Sequence, residues 1–153
     1  TFFFFFFDRE NEERIHFASA MTMTGNNEDT IRERPASYLD IAEFIQTYGA
    51  NIEESLHQLW RRIIFNIAIS NTDDHLLNPS IDKNGLSLNI DMSDNSLDFD
   101  IAKSVGDFFR LDENQMENII AEVLFSVRNW ESVAEGIGIS RTEREQMKRA
   151  FNY

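Results

Sequence analysis

The sequence feature that most constrains the fold is a stripe of apolar side chains between residues 52 and 67. These side chains recur three and four residues apart, which places them on one face of an α-helix. Asn51 and Glu54 stand at the start of the stripe in a pattern that predicts a capping arrangement. The stripe consists of Ile52, Leu56, Leu59, Trp60, Ile63, Ile64 and Ile67. It predicts a buried helix, which is the clearest element of the chain.

Capping residues and helical periodicity predict four further helices. Their predicted ranges are 37–49, 98–109, 112–130 and 140–151, with start signals at Ser37 and Asp40, Asp98, Asp112 and Gln115, and Ser140 and Glu143. Strand patterns are confined to the opening TFFFFFF and to the extended piece Leu86–Ile90, while the type of the apolar element Ile15–Gly25 stays open. The expected fold is mainly α.

Composition limits both the size of the core and the kind of surface around it. With 153 residues, 42% of them hydrophobic, the chain can bury one core and forms a single domain or one lobe of a larger one. The formal charge of -13 argues against direct binding to nucleic acid, which depends on clustered Lys and Arg. The chain has no cysteine, which excludes a disulfide framework and is compatible with a reducing cytoplasm.

The opening TFFFFFF is neither a signal peptide nor a membrane span, because it lacks a preceding basic region and a following small-residue cleavage site. A buried strand is the expected structure. Six exposed Phe side chains would promote aggregation, and the first residue is Thr rather than Met. We therefore expect that further chain precedes this strand.

A cluster of polar groups directly follows the apolar helix. Residues 71–75 read NTDDH, and a loop leaving a buried helix can direct two carboxylates and an imidazole into a cleft. Such a cluster suits a general base or a metal site. The five residues alone are a weak signal, because Asn, Thr and Asp are common in polar loops at helix ends.

The sequence around NTDDH resembles the catalytic-loop region of HipA-family toxin kinases, in which a helix ends in a Thr-Asp-x-His motif. The matching stretch is WRRIIFNIAISNTDDHL, residues 60–76. The resemblance extends to FDR at 7–9, RIHFASAMT at 14–22, SYLDIAEFI at 37–45 and NPSIDKNGLSLNID at 78–91. It covers nearly the whole chain and implies the helical C-lobe of a two-lobed serine/threonine protein kinase. The implied divisions are a hinge strand at 1–9, a connecting segment at 10–36 and a helical core at 37–153.

The resemblance also implies roles for individual residues. Asp73 would be the catalytic aspartate that accepts or orients the proton of the substrate hydroxyl. His75 would brace the catalytic loop. Phe6, Phe7 and Asp8 would lie at the hinge, where backbone groups meet the adenine of ATP.

The sequence departs from the family pattern soon after the motif. Family members continue with a basic residue and a metal-binding Asn, and later with Tyr-Asp-Leu-Asn-Pro, whose Asp holds magnesium. In this chain Leu77 and Asn78 follow at once, so Asn78 is either the metal-binding Asn or the Asn of the later element. Leu77 favours the second alignment, on which both family magnesium ligands are missing.

The phosphate-binding elements of the family are missing as well. No Lys occurs before Lys83, and there is no glycine-rich phosphate loop. Phosphoryl transfer depends on positioned Mg2+ and cationic groups, so these residues alone should bind ATP poorly and transfer phosphate slowly or not at all. We expect further segments before Thr1 and between Leu77 and Asn78, with a true deletion as the alternative.

The resemblance implies ATP and Mg2+ as cofactors and protein hydroxyls as substrates, including those of aminoacyl-tRNA synthetases. It implies a DNA-binding antitoxin as partner, and the acidic surface suits a basic one. We expect no direct contact with nucleic acid, no contact with a membrane, and a location in the cytoplasm.

Two other functions stay open. A non-catalytic interaction module would keep the kinase-like core without nucleotide chemistry, and a Lys-bearing N-lobe in the same protein would favour the enzyme instead. The run DMSDNSLDFDIA resembles a calcium loop at Asp91, Ser93 and Asn95. However, Ser96 replaces the turn glycine and Ala102 replaces the closing glutamate, which favours a solvated turn followed by a helix cap.

Overall fold

Helices form almost all of the regular secondary structure in the computed structural model of the chain. The structure describes residues 9–10, 13–14, 19–25, 35–72 and 85–153. Within these ranges the α-helices are α1 (Ala20–Thr24), α2 (Tyr38–Tyr48), α3 (Ile52–Ala68), α4 (Phe99–Ser104), α5 (Glu113–Arg128), α6 (Trp130–Gly136) and α7 (Arg141–Met147). Short 3-10 helices, Gly106–Phe109 and Lys148–Ala150, follow α4 and α7. The mainly α fold is therefore confirmed.

The strands β1 (Arg9–Glu10) and β2 (Glu13–Arg14) pair with each other in antiparallel orientation. The hinge strand predicted at 1–9 lies outside the described residues except for Arg9. The apolar element at 15–25, whose type the sequence left open, contains the short helix α1, which packs against α2.

The centre of the fold is α3, the helix predicted from the apolar stripe. It packs against α2, α4, α5 and the first 3-10 helix. Ile52 and Leu59 are partly buried against the core, and the other members of the stripe are fully buried. These fully buried members are Leu56, Trp60, Ile63, Ile64 and Ile67. A helix covered on several sides in this way fixes the direction in which the chain leaves its C-terminal end.

Three of the predicted helix starts are confirmed as reciprocal capping boxes. In each box the side chain of the first residue accepts a hydrogen bond from the backbone N–H three residues later, and the side chain of that later residue accepts one from the backbone N–H of the first. The pairs are Ser37 with Asp40, Asp112 with Gln115, and Ser140 with Glu143. The capping arrangement predicted between Asn51 and Glu54 is wrong. Asn51 is the N-cap of α3, but its ψ of 70° lies outside the extended region that capping favours, and its side chain makes no cap hydrogen bond.

The helices predicted after residue 98 are shorter than the sequence patterns indicated. The predicted helix 98–109 begins as expected at the cap Asp98, but it is interrupted at Val105 and continues as a 3-10 helix. The predicted helix 112–130 ends at Arg128, and Trp130 begins a new helix. The last predicted helix is α-helical only to Met147. In the first two cases the apolar periodicity continues across an interruption of the helix, whereas the last helix runs directly into a 3-10 helix.

The extended piece predicted at Leu86–Ile90 lies against the start of α2. A single parallel bridge joins Ser37 and Asn89, with hydrogen bonds from Tyr38 N to Asn89 O (2.9 Å) and from Asn89 N to Ala36 O (3.0 Å). Leu86 and Ile90 are fully buried in the core. This contact brings the residues after position 85 next to the helices that lie before position 72.

Candidate active site

The central helix α3 ends in a Schellman motif immediately before the NTDDH cluster. The N–H of Ser70 donates to the carbonyl of Ile67 (3.2 Å), and the N–H of Asn71 donates to the carbonyl of Asn66 (2.9 Å). This pattern requires a left-handed residue just past the helix, and Ser70 has a φ of 49°. The motif therefore sets the direction of the backbone that enters Thr72.

A chain of buried polar side chains reinforces this helix end. Asn71 Nδ2 donates to Asn66 Oδ1 (3.0 Å), and Asn66 Nδ2 donates to the hydroxyl of Tyr38 (3.1 Å). Asn66 is only 2% exposed and Tyr38 only 1% exposed. Buried hydrogen bonds of this kind fix side-chain positions, because breaking one leaves polar atoms without water to replace the partner. The start of the NTDDH cluster is thus tied to the first residue of α2.

The residues on the two sides of 73–84 are also in direct contact. The hydroxyl of Ser87 donates to the carbonyl of Thr72 at 2.5 Å. Gly85 lies so close to Asn95 that a Cβ at position 85 would stand 2.7 Å from the Asn95 backbone oxygen. Leu86 N also donates to Asn95 O (2.7 Å). Thr72 and the segment from position 85 are therefore held together. We call the arrangement formed by Tyr38, Asn66, Asn71, Thr72 and Ser87 the structural base of the site.

The turn that follows this base binds its own backbone. Asp91 Oδ1 accepts hydrogen bonds from the N–H groups of Ser93 (2.7 Å) and Asp94 (2.6 Å). Hydrogen bonds from Ser96 lower the pKa of the Asp94 carboxyl. These bonds form the solvated turn that the sequence favoured over a calcium loop. Across the described ranges, no group of three or more His, Asp or Glu side chains is arranged to hold a metal ion.

All of the residues predicted to act in the site lie outside the described part of the chain, and their roles stay predictions. They are Asp73 and His75 for catalysis, Phe6, Phe7 and Asp8 for the cofactor, and Asn78 for the metal. The structure does describe Asn71 and Thr72, which directly precede Asp73. The structure therefore describes the structural base that leads into Asp73, and not Asp73 itself.

The family of the chain follows from comparison with known proteins. A family model described as the HipA-like C-terminal domain matches residues 4–93. The chain belongs to this family. No curated protein and no solved structure matches the HipA-like chain. The matched range includes the NTDDH cluster and the Ser87 contact, and it ends before α4.

Sequence reasoning missed the residues that build the base. Asn66 carries a signal that could have been used, since it is an amide in a run of apolar residues, between Phe65 and Ile67. Tyr38 and Ser87 carry no such signal, because their partners lie 28 and 15 residues away in the chain.

No helix in the described ranges is both long enough and apolar enough to cross a membrane.

Proposed function

We propose that this HipA-like chain is the C-lobe of a serine/threonine protein kinase that transfers the γ-phosphate of ATP to a protein hydroxyl. The observation that supports this most directly is the base at the end of α3. A Schellman motif, a partly buried amide pair and the Ser87 hydroxyl all fix the two residues before Asp73. Catalysis of phosphoryl transfer depends mainly on the positioning of the reacting groups, so a rigid structural base directly before the catalytic carboxylate suits this reaction.

In this proposal Asp73 orients the substrate hydroxyl and accepts its proton. A bond forms between the hydroxyl oxygen and the γ-phosphorus, while the bond from that phosphorus to the bridging oxygen of ADP breaks. His75 braces the Asp73 segment. Backbone groups of Phe6, Phe7 and Asp8 contact the adenine.

Magnesium, when bound with ATP, neutralises charge on the phosphates, and Asn78 is its proposed ligand. Every described residue of the base acts on the backbone before Asp73 and not on the metal. The role proposed for Asn71 and Ser87 is therefore positioning, and it does not depend on which family element Asn78 represents.

The proposed biological role is that of the toxin of a bacterial toxin–antitoxin pair in the cytoplasm. The proposed substrates are protein hydroxyls, including those of aminoacyl-tRNA synthetases, and the proposed partner is a DNA-binding antitoxin. The formal charge of -13 supports a basic partner, because opposite charges speed encounter and favour the correct orientation. The same charge disfavours direct contact with nucleic acid.

A second candidate is a non-catalytic interaction module with the same core. Leu77 supports this candidate, because it stands where the family has a basic residue. The module would bind an antitoxin or another protein and would not transfer phosphate.

Phosphorylation by the full-length protein distinguishes the two candidates. Wild-type protein is incubated with γ-labelled Mg-ATP, and label on itself and on candidate substrates is counted. Asp73→Asn should reduce transfer by about 100-fold or more, because it removes the proton acceptor. Asp74→Asn is the matched control, since it changes a neighbouring carboxylate by the same atoms and should retain most activity.

A wild-type protein that transfers no label would favour the interaction module. Equal rates for Asp73→Asn and Asp74→Asn would refute the role proposed for Asp73.

A further inference from the structure

The last carbonyl of α3 has a hydrogen-bond donor from a distant part of the chain. The final four carbonyls of an α-helix have no partner within the helix and must find one elsewhere. Residues 69–71 donate to the carbonyls of Phe65, Asn66 and Ile67. The fourth carbonyl, that of the fully buried Ala68, accepts from the backbone N–H of Asn152 at 2.7 Å. The end of α3 is therefore completed by the segment Phe151–Tyr153, which we call the tail.

Several contacts hold the tail in this position. The ring of Phe151 stacks on Trp130 at 4.2 Å between centroids, with the two planes 11° apart. Trp130 Nε1 donates to the hydroxyl of Tyr153 (3.1 Å), and the guanidinium of Arg128 lies 5.7 Å from the centre of the Tyr153 ring. Asn152 Nδ2 donates to the carbonyl of Leu97 (3.1 Å). The tail is anchored on both sides of its bond to Ala68.

The family match ends at residue 93, so the tail and the helices that hold it lie outside the matched range. Only a few residues separate Ala68 from Asp73 along the chain. The Ala68 carbonyl belongs to the peptide unit that leads into the Schellman motif formed by Ser70 and Asn71, so fixing this carbonyl helps to fix the motif. The tail thus adds to the end of α3 a support that the matched range does not contain.

We infer that the tail is a positioning element for Asp73 and that the N–H of Asn152 is its acting group. This inference rests on the proposed kinase function. The tail is a positioning element and not a contact for substrate or ATP. It acts by holding the end of α3, and it should therefore affect the rate of the chemical step more than the binding of ATP.

Replacing Asn152 by proline tests this role directly, because proline has no backbone N–H to donate. The preceding residue, Phe151, has φ -102° and ψ 122°, a conformation that a following proline favours. Asn152→Ala is the matched control, since it removes the side-chain bond to Leu97 and keeps the N–H. Trp130→Leu is a second variant, which weakens the tail's anchor and leaves its backbone unchanged.

Hydrogen exchange of the full-length protein, followed by mass spectrometry of peptides covering residues 66–72, measures the hold on the helix end. In Asn152→Pro these amides should exchange about tenfold faster, because a buried carbonyl loses its donor. Asn152→Ala should remain close to wild type, and Trp130→Leu should lie between them. Peptides from α5 serve as an internal reference for overall stability and should be unchanged.

Kinetics then test whether stabilisation of the α3 end by the tail matters for catalysis. Asn152→Pro should lower kcat by at least about fivefold with KM for ATP within about twofold of wild type, because orientation and not binding is lost. The inference would be overturned if the amides of residues 66–72 exchanged at the same rate in Asn152→Pro as in Asn152→Ala. It would also be overturned if the amides of α5 lost as much protection in Asn152→Pro as those of residues 66–72. Faster local exchange with unchanged kcat would show that the tail stabilises the helix without positioning Asp73.

Failure of the proposed function gives a different result, namely a wild-type protein without phosphoryl transfer. In that case the inference that the tail positions Asp73 would be overturned together with the proposed kinase function. If Asn152→Pro itself does not fold, Trp130→Leu decides the question by the same two measurements.

Discussion

Replacing Ser70 by glycine should stabilise the protein, although it removes a side chain next to the candidate active site. Ser70 occupies the left-handed position of the Schellman motif with a φ of 49°. Helix α6 ends in the same motif, and there the equivalent residue is Gly138 with a φ of 89°. Glycine is the usual residue at this position because it has no Cβ to clash with the backbone. The two helix ends thus offer a reciprocal test.

The expected gain is the difference between two opposing effects. The left-handed conformation costs an L-residue roughly 1–2 kcal/mol, and glycine removes this cost. The greater freedom of glycine in the unfolded chain takes back about 0.4–1 kcal/mol. The net increase in the free energy of unfolding should be about 0.5–1 kcal/mol. For a chain of 153 residues this raises Tm by roughly 1–4 °C.

Urea unfolding followed by circular dichroism measures the effect, with a higher midpoint expected for Ser70→Gly at an unchanged slope. Ser70→Ala keeps a Cβ and should show no gain. Gly138→Ala should lose about 1 kcal/mol from backbone strain alone, because no atom of the described residues lies within 4 Å of the added Cβ. A midpoint for Ser70→Gly at or below that of Ser70→Ala would refute the argument that position 70 carries backbone strain.

Two further predictions concern the core and the response to acid. Trp60→Phe should lower the free energy of unfolding by roughly 1–3 kcal/mol, measured by urea unfolding, because the buried carbonyl of Ala102 loses the indole N–H that donates to it at 3.0 Å. A hydrogen bond from Ser140 lowers the pKa of Glu143 below its ordinary value of 4.5. Its contribution to stability is therefore complete above pH 4.5 and is lost as the pH falls through the lowered pKa. Wild-type Tm should fall more steeply than that of Glu143→Gln between about pH 5 and pH 3, and parallel Tm curves would contradict this assignment.

Helix starts were predictable wherever a short pattern determines the local backbone. The capping boxes that begin at Ser37, Asp112 and Ser140 depend on two residues three positions apart, so the sequence alone contains the necessary information. Asn51 shows the same pattern but makes no cap hydrogen bond, because its ψ of 70° lies outside the extended region that capping favours. The break at Val105 was not predictable, since apolar periodicity reports burial and not the continuity of a helix.

The candidate site was predictable as a motif but not as a structure. Thr72 and Asp73 could be recognised from adjacent residues, whereas the groups that fix the backbone before them come from distant positions. Tyr38, Ser87 and Asn152 reach the end of α3 through tertiary contacts that leave no periodic trace in the sequence. Hydrogen bonds to backbone carbonyls are especially hard to anticipate, because any residue except proline can donate them.

The bond between Asn152 and Ala68 also has a consequence for how the protein is made. A ribosome adds about 5–20 residues per second, and helices form far faster than that. Helix α3 can therefore form and pack against α2 while the chain is still growing, before Asn152 can donate to its last carbonyl. The donor to that carbonyl becomes available only after α4 to α7 have been synthesised. A nascent chain that stops short of residue 152 thus carries the whole family-matched range, yet its central helix is incomplete at the end that leads to Asp73.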